Sequence, residues 1–482
     1  MKHILFLLIF FLFNGLVISQ TYNVVNYQKI NELNGGFDGI LDVEDNLGVS
    51  IDNIGDLDGN GFNDLAVGAF SDDDGGYNRG AVWILFLDGD DNVISYTKIS
   101  NTSGGFNGVL DDDDRFGGAV SYLGDINNDG YVELAVGADY DEDGGYWHGA
   151  VWILSLNNDG TVNTFSKISD TEGNFTGYLD DYSIFGTDIE NIGDLNGDGI
   201  NDIVVGSRRL GGFTISRGAV WVLFMNADLT VNSYQKIGNN EGGFGSLDIA
   251  DYFGGSVANI GDLNGDGVID IVVGCYRDDD QNINSGSFYV LFLNSDGTVN
   301  SYQKVSNLNG NLNTEISQEA LFGESIDGVM DIDSDGKVEI VVGAMRQVNP
   351  TLLMPTGAFF IIELNSDGTV SEEHLYTYLE NCFSGELSDG DLFGGSVCVL
   401  NDTNDNIKLA AGAYRDSENG YRKGAAWILN LGELSFNIES YTNPTGCGSD
   451  DGNITFSGLS ANTDYSVVYD YEGLGQSIND TS

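Results

Sequence analysis

The stretch Asp194-Leu195-Asn196-Gly197-Asp198-Gly199-Ile200-Asn201-Asp202 is repeated along the chain at a nearly constant spacing. Its first aspartate has counterparts at Asp56, Asp125, Asp262 and Asp331, so successive copies lie 69, 69, 68 and 69 residues apart. A degenerate sixth copy follows near Leu400. A fixed period of this length is typical of a repeat protein in which each repeat forms one structural unit.

Every repeat contains the same parts in the same order. A pair such as Phe185-Gly186 opens the repeat, and an apolar run leads into the Asp loop. A Val-Val-Gly-like strand, an acidic loop, a segment such as Gly218-Ala219-Val220-Trp221 and a segment such as Ser233-Tyr234-Gln235-Lys236-Ile237 follow. Four short runs of β-branched and aromatic residues per unit are typical of a propeller blade. We therefore predict an all-β fold, a β-propeller of six four-stranded blades, with a seventh blade recruited from the tail as the alternative.

The two ends of the repeat array complement each other. Tyr27-Gln28-Lys29-Ile30 copies the fourth strand of a repeat but precedes the first Phe-Gly unit, whereas the sixth unit ends after Leu429 without a clear copy of this strand. Pairing the two ends would remove two exposed strand edges. We predict that the N-terminal strand completes the last blade.

The Asp loops have the composition of calcium sites. Each places oxygen-bearing side chains at loop positions one, three, five and nine, with glycine at position six in most copies. Hard oxygen ligands around a sharp turn suit Ca²⁺ better than Zn²⁺, which prefers His or Cys. The predicted ligands of about five Ca²⁺ ions are Asp56, Asp58, Asn60, Asp64; Asp125, Asn127, Asp129, Glu133; Asp194, Asn196, Asp198, Asp202; Asp262, Asn264, Asp266, Asp270; and Asp331, Asp333, Asp335, Glu339.

The sixth copy departs from this pattern. Leu400 stands where the first aspartate is expected and Lys408 where the ninth acid is expected. We predict that this loop binds no metal.

These motifs together resemble a known family. The Phe-Gly opening, the Asp loop and the Gly-Ala-Val-Trp segment are similar to FG-GAP repeats, as in the β-propeller head of integrin alpha chains and related bacterial surface proteins. The resemblance covers residues 22–432 and implies Ca²⁺ between the first and second strands of a blade, on the face opposite the usual ligand face. The best-known members have seven blades of shorter repeats, and no segment here resembles an integrin leg. Adhesion or ligand binding is what the resemblance implies.

Charge and termini restrict location and partners. The chain has 482 residues, 18 Lys plus Arg, 75 Asp plus Glu and a formal net charge of −57, which opposes binding to nucleic acid or anionic lipid. Residues 1–19 have the pattern of a signal peptide, and no later stretch is long and apolar enough for a membrane span. We predict a secreted or cell-surface protein without direct membrane insertion.

The segment 433–482 lies beyond the repeats. It alternates as strands and resembles the start of an Ig-like module of bacterial surface adhesins, which we predict to be partial and possibly truncated. Of the four cysteines, Cys275 occupies a small-residue position inside a strand, Cys382 and Cys398 are able to pair, and Cys447 is left over.

Two function classes follow. The first is a Ca²⁺-binding adhesion or ligand-binding propeller whose partner is an extracellular protein or glycan, with Tyr77, Trp147 and Arg277 as ligand-face candidates. For the acidic loops of that face, the alternative is a solvated surface that keeps the protein soluble. The second class is a hydrolase or lyase acting on extracellular polysaccharide through propeller carboxylates. The sequence contains no catalytic constellation, and a raised carboxylate pKa in a deep axial pocket would favour the second class.

Overall fold

The propeller has six blades. The structure, a computed structural model, describes residues 23–212, 215–330, 336–403, 406–418 and 420–432, and also the backbone of four strands beyond residue 432. Within 23–432 the described residues form six four-stranded antiparallel sheets, which confirms the six-blade prediction over the seven-blade alternative. The predicted signal peptide lies outside the described residues.

The strands are numbered in chain order, and each blade runs from the axis outwards. Blades one to three contain β2 (Ile51–Gly55), β3 (Asp64–Ala69), β4 (Ala81–Leu87), β5 (Val93–Ser100); β6 (Ala119–Gly124), β7 (Val132–Ala138), β8 (Ala150–Leu156), β9 (Val162–Ile168); and β10 (Ile189–Gly193), β11 (Asp202–Ser207), β12 (Ala219–Met225), β13 (Val231–Gly238). Blades four and five contain β14 (Val257–Asn259), β15 (Ile271–Gly274), β16 (Phe288–Leu293), β17 (Val299–Val305); and β18 (Phe322–Met330), β19 (Val338–Ala344), β20 (Ala358–Leu364), β21 (Val370–Tyr376). Blade six contains β22 (Val397–Thr403), β23 (Asn406–Gly412), β24 (Ala426–Gly432) and the N-terminal strand β1 (Asn23–Ile30).

Strand β1 closes the ring. It pairs antiparallel with β24, with Tyr27 opposite Leu429 and Ile30 opposite Ala426. The closure predicted from the displaced Tyr27-Ile30 segment is therefore confirmed. Because the two ends of the repeat array share one sheet, neither leaves a blade edge unpaired.

Neighbouring blades approach each other through glycine. Gly68 on β3 faces the carbonyl oxygen of Gly117, the Phe-Gly glycine of blade two, and a Cβ at Gly68 would lie 2.0 Å from that oxygen. The same contact recurs around the whole ring, where the corresponding distances lie between 2.0 and 2.3 Å. Gly117 itself has a φ of 89°, a conformation that side chains with a Cβ rarely adopt. Both glycines of the repeat are thus required by the spacing of the blades.

Five connections between blades pack a phenylalanine against the third strand of the blade that follows them. Phe106, in the connection from blade one to blade two, packs edge-on against Trp152 of blade two with ring centroids 5.2 Å apart. Phe37 meets Trp83, and Phe175 meets Trp221, in the same way. The tryptophan that recurs in the third strand is therefore the packing centre of its blade.

A buried ion pair lies beside the aromatic residue at this position in four blades, where the residue is tryptophan in three of them and Tyr289 in blade four. In blade one the Lys98 ammonium lies 2.7 Å from the Asp72 carboxylate, whose side chain is 3% exposed, and 5.1 Å from the Trp83 ring centroid. The equivalent pairs are Lys167–Asp141, Lys304–Asp278 and Lys29–Asp416. Sequence reasoning assigned these acidic loops to the ligand face or to solvent, but their first aspartate is buried and paired.

The two remaining blades lack the buried aspartate, and blade five lacks the lysine as well. Blade five has Gln347 at the Asp72 position and Leu375 at the Lys98 position, so neither charge is present. Blade three has Leu210 at the Asp72 position, and its Lys236 pairs instead with Glu241, whose side chain is 53% exposed. Loss of the buried acid is thus accompanied by loss or redirection of the lysine.

The cysteines do not form the disulfide that the sequence left open. Cys275, Cys382 and Cys398 are free thiols. Cys398 lies 3.6 Å from an oxygen of Asp52, whereas Cys382 lies 3.5 Å from Asn23. Cys447 lies outside the described residues.

Two hairpins follow the propeller in sequence. Strand β25 (Asn437–Thr442) pairs with β26 (Asn453–Ser457), and β27 (Tyr465–Tyr471) pairs with β28 (Leu474–Asp480). The partial Ig-like assignment stays a prediction.

The buried ion pair can be tested with the residues that blade five has at the same two positions. Lys98→Leu strands the Asp72 carboxylate, so we expect a loss of about 3–5 kcal/mol in the free energy of unfolding. The double variant Lys98→Leu/Asp72→Gln reproduces the residues of blade five and should recover most of that loss. Denaturant unfolding measures both.

Lys236→Leu is the matched control, because the Glu241 partner is mostly exposed. It should cost only about 0–1 kcal/mol for the ion pair. A double variant no more stable than Lys98→Leu would show that the cost comes from packing and not from the stranded charge.

Candidate functional site

The predicted metal ligands lie in the loops between the first and second strands of each blade. In blade one, Asp56, Asp58 and Asp64 each offer an oxygen, and these oxygens all lie within 4.8 Å of one another. The loop is shaped by its own side chains, because Asp56 accepts the Gly61 N–H at 2.9 Å and Asp58 accepts the Asn60 N–H at 3.0 Å. Three convergent carboxylates in a fixed turn fit a hard cation such as Ca²⁺.

The second, third and fourth loops repeat this hydrogen-bond pattern. Asp125, Asp194 and Asp262 each accept the N–H of the glycine five residues later, at 2.8 to 3.0 Å. Among the described residues, these loops do not bring three acid oxygens within the 4.8 Å found in blade one, and each has asparagine at position three. Their backbone turn is the same, with two carboxylates and an amide oxygen at the first three ligand positions.

The acid at position nine is buried and joins the loop to the third strand. Asp64 accepts the Leu57 N–H at 2.9 Å and the Leu87 N–H at 3.0 Å. Burial raises the pKa of Asp64 to about 6, although those two hydrogen bonds oppose the shift. Asp202 and Asp270 have the same environment and a pKa of about 6, and Glu133 has a pKa of about 7. A bound cation would offset the repulsion between these acids and their neighbours.

The fifth loop is described only at its end. Glu339 is buried on β19, while Asp331, Asp333 and Asp335 lie outside the described residues.

The sixth loop differs from the sequence alignment. Asn401 pairs with Lys408, as Gly55 pairs with Asp64 in blade one. The strand register therefore places Asp402, and not Leu400, at the Asp56 position, so the assignment of Leu400 was wrong. Leu400 is a buried core residue, 3% exposed, at the Ile54 position. The prediction erred because the loop is two residues shorter, which shifts any ungapped alignment.

Lys408 does occupy position nine. Its ammonium lies 2.6 Å from an oxygen of Asp91, in the hairpin of blade one. The ammonium group of Lys408 thus replaces the buried acid that the other loops have at this position.

The three ligand-face candidates lie in different blades and environments. Tyr77 is 61% exposed in blade one. Trp147 of blade two stacks on Tyr140 at 4.2 Å and on Tyr146 at 4.7 Å, so its indole is used in an aromatic cluster. Arg277 of blade four is exposed and lies 5.1 Å from the Tyr252 ring centroid.

Sequence reasoning named no residue of the axis, where the structure has a cavity of about 270 Å³ lined by all six blades. Its walls are the first strands β2, β6, β10, β14, β18 and β22. Asp52, Asp188, Glu190 and Asp327 face it, and Glu324 and Arg208 also line it. The acids occur in only some repeats, so the repeat pattern gave no signal for them.

Three of these axial acids connect blades. Asp52 accepts the Tyr122 N–H of the next blade at 2.5 Å, Asp188 accepts the Val257 N–H at 2.8 Å, and Asp327 accepts the Val399 N–H at 2.7 Å. Burial raises their pKa values to about 6 for Asp52 and about 7 for Asp188 and Asp327.

Glu190 differs from these three carboxylates. No hydrogen bond to its side chain is found in the described part of the chain. Burial, reinforced by the charges of Asp327, Asp52 and Asp188, raises the pKa of Glu190 well above its usual range.

The chain was compared with known proteins. No family model matches it. It is 37% identical to integrin alpha-2 of Mus musculus over 95 residues, which is 19% of this chain and 8% of that protein. It is 30% identical to integrin alpha-11 of Homo sapiens over 172 residues, 34% of this chain and 13% of that protein. It is 38% identical to integrin alpha-PS2 of Drosophila melanogaster over 104 residues, which is 20% of this chain and 7% of that protein.

By its geometry the protein is a β-propeller that is built from sequence repeats and has carboxylate loops at one end. The partial matches add that this propeller is similar, over part of its sequence, to integrin alpha chains. The aligned parts cover less than a sixth of these relatives' length. In the described residues no helix is long and apolar enough to cross a membrane.

The axial acids predict a pH effect on stability. Asp327 holds its proton to about pH 7 in the folded protein but only to about pH 4 in an unfolded chain. Proton uptake on folding therefore stabilises the fold at low pH, and this contribution is lost as the pH rises from about 4 to about 7. Asp327→Asn keeps an oxygen that accepts the Val399 N–H and removes the titratable carboxyl group.

We expect the free energy of unfolding of Asp327→Asn, compared with that of the unchanged protein, to be more favourable at pH 8 than at pH 5. Thermal unfolding across that range measures the difference. A constant difference would show that Asp327 is ionised in the folded protein throughout.

Proposed function

We propose that this protein is a calcium-binding extracellular β-propeller that acts as a ligand-binding or adhesion module at the cell surface. The single observation that carries the proposal is the recurrence of one carboxylate turn at the same end of successive blades. The opposite end is left free to contact a partner. That partner is an extracellular protein or glycan.

Two features support calcium at the loops. In blade one three carboxylates converge within 4.8 Å in a turn already fixed by hydrogen bonds, so little chain entropy is lost when an ion binds. The ligand atoms are all oxygens, and the described loops contain neither His nor Cys, which disfavours Zn²⁺. The fifth proposed calcium site consists of Asp331, Asp333, Asp335 and Glu339.

The other end offers a surface for a ligand. The loops between second and third strands carry the exposed Tyr77 and Arg277. A signal peptide at residues 1–19 would deliver the propeller to the medium or the cell surface, where free Ca²⁺ is abundant. Both features agree with a module that binds outside the cell.

Calcium removal tests the proposal. A site filled at a hundredfold excess of ion over its dissociation constant contributes about 2.7 kcal/mol to stability. We expect chelation to lower the melting temperature steeply, and Asp56→Ala to remove about one such contribution. Calorimetry in Ca²⁺ and in chelator measures both.

The sixth blade supplies the matched control. Asp402→Ala changes the residue at the Asp56 position of a loop whose ninth position is Lys408. It should leave the calcium-dependent part of the stability unchanged. Melting that does not depend on calcium in the unchanged protein would refute calcium binding.

A second candidate function has one specific observation in its favour. The axial Glu190, with its raised pKa, is the kind of group that acts as a general acid in a polysaccharide hydrolase or lyase. This candidate ranks second because Asp52, Asp188 and Asp327 accept backbone hydrogen bonds between blades and leave Glu190 without a free partner base.

The two candidates are separated by activity assays on extracellular polysaccharides, with reducing ends and new double bonds as readouts. The ligand-binding proposal predicts no turnover in the unchanged protein. Turnover that is lost in Glu190→Gln, with unchanged melting, would favour the enzyme.

A further inference from the structure

The loop between the second and third strands of blade five has an exposed apolar tip. Leu352, Leu353 and Met354 are consecutive in the chain and are 36%, 77% and 41% exposed. Pro350 and Pro355 enclose them and restrict the backbone on both sides. In blades one, two, four and six the corresponding loop carries at least two acids instead. Blade five therefore has an apolar tip where most blades have an acidic one.

A fourth apolar side chain lies beside this tip. Leu379, in the turn after β21, is 48% exposed. Its neighbour Tyr378 accepts a hydrogen bond from Asn349 Nδ2 at 2.5 Å. Its other neighbour, Glu380, accepts one from Thr351 Oγ1 at 2.9 Å, so the turn and the loop are joined on both sides of Leu379. The blade-five apolar patch consists of Leu352, Leu353, Met354 and Leu379.

Hydrogen bonds hold the tip in one conformation. Asn349 is 0% exposed, and its Oδ1 accepts the N–H groups of Thr351 and Leu352 at 2.9 and 2.8 Å. Its backbone N–H donates to the Met354 carbonyl, and its own carbonyl accepts the Leu353 N–H, both at 2.8 Å. Leu353 has a φ of 56°, which is uncommon for a bulky side chain. A loop fixed in this way loses little conformational entropy when a partner covers it.

Acidic residues flank the patch. Ser317, in the connection that enters blade five, donates its N–H to Gln347 of the loop at 3.1 Å, so this connection runs beside the loop. The connection that leaves blade five flanks the other side. The acids of the two connections and the turn that are not buried are Glu315, Glu319, Glu380, Glu386 and Asp389. Within the loop they are opposed by Arg346, and a basic partner surface is therefore favoured.

We propose that the blade-five apolar patch binds a partner protein through an apolar surface bordered by lysine or arginine. The inference rests on the proposed ligand-binding function and names the chemistry of the partner. A glycan fits poorly, because the four side chains offer no hydrogen-bond donor. A lipid bilayer does not require one loop conformation, and the flanking acids repel anionic headgroups. A second copy of this chain would bring the same acids against each other.

A capped 14-residue helical peptide of leucine and lysine, with all its leucines on one face, is the probe. We expect it to bind the full chain in calcium-containing buffer, measured by fluorescence anisotropy of a labelled peptide. Two matched peptides are the controls. One has glutamate in place of lysine, and the other has the same composition in an order that leaves no apolar face. Neither should bind, because the first lacks the charge and the second lacks the apolar surface.

Substitutions on the protein locate the binding. Leu353→Ser and Leu379→Ser should each weaken binding of the leucine-lysine peptide by about tenfold or more, because each removes apolar surface from the contact. Leu308→Ser is the matched control, since Leu308 is 64% exposed and lies three residues after the fourth strand of blade four, as Leu379 does in blade five. It should leave binding unchanged.

Vesicles of phosphatidylcholine and sedimentation equilibrium test the other occupants. Vesicle binding that Leu353→Ser abolishes would assign the patch to a bilayer and overturn the inference. Self-association that the same substitution abolishes would overturn it in favour of a second copy. The inference also fails if the leucine-lysine peptide does not bind, if the glutamate peptide binds equally well, or if Leu308→Ser has the same effect as Leu379→Ser.

Calcium-dependent melting, measured on the same samples, reports on the proposed function separately. Calcium stabilisation without peptide binding would refute only the inference. Absence of calcium stabilisation would count against the proposed function itself.

Discussion

The spacing between blades depends on a contact that has no side chain on either side. In each blade a glycine of the second strand meets the carbonyl oxygen of the Phe-Gly glycine in the next blade, and a Cβ would come within 2.0 to 2.3 Å of that oxygen. A single methyl group at this point would push two sheets apart, and because the ring is closed by β1 the displacement could not be absorbed at a free end. These glycines therefore set how closely neighbouring blades approach each other.

The acidic residues divide into groups with different physical roles. Buried aspartates such as Asp72 are neutralised by a lysine and lock the outer strand to its blade. Buried acids at position nine, such as Asp64, accept backbone N–H groups and fix the loop. Axial acids such as Asp52 join neighbouring blades. The acids behind the net charge of −57 therefore do more than keep the surface soluble, because many of them accept hydrogen bonds from specific donors inside the fold.

The acids also lie at different levels of the propeller. Carboxylate turns lie at one end of the blades, and the acids Asp52, Asp188, Glu190 and Asp327 line the centre of the ring. The turns share one end because antiparallel strands send alternate loops to opposite ends of every blade.

The sequence by itself predicted the six blades and the closing strand correctly, because both follow from the repeat period and from local turn chemistry, which do not require knowledge of spatial neighbours. It did not determine which carboxylates are buried. Asp72 and Asp73 are adjacent in the chain, yet only Asp72 meets Lys98, a residue of a strand two places further on. The strand register likewise decided that Asp402, and not Leu400, corresponds to Asp56. The axial acids come from different repeats, and only closure of the ring brings them to one axis.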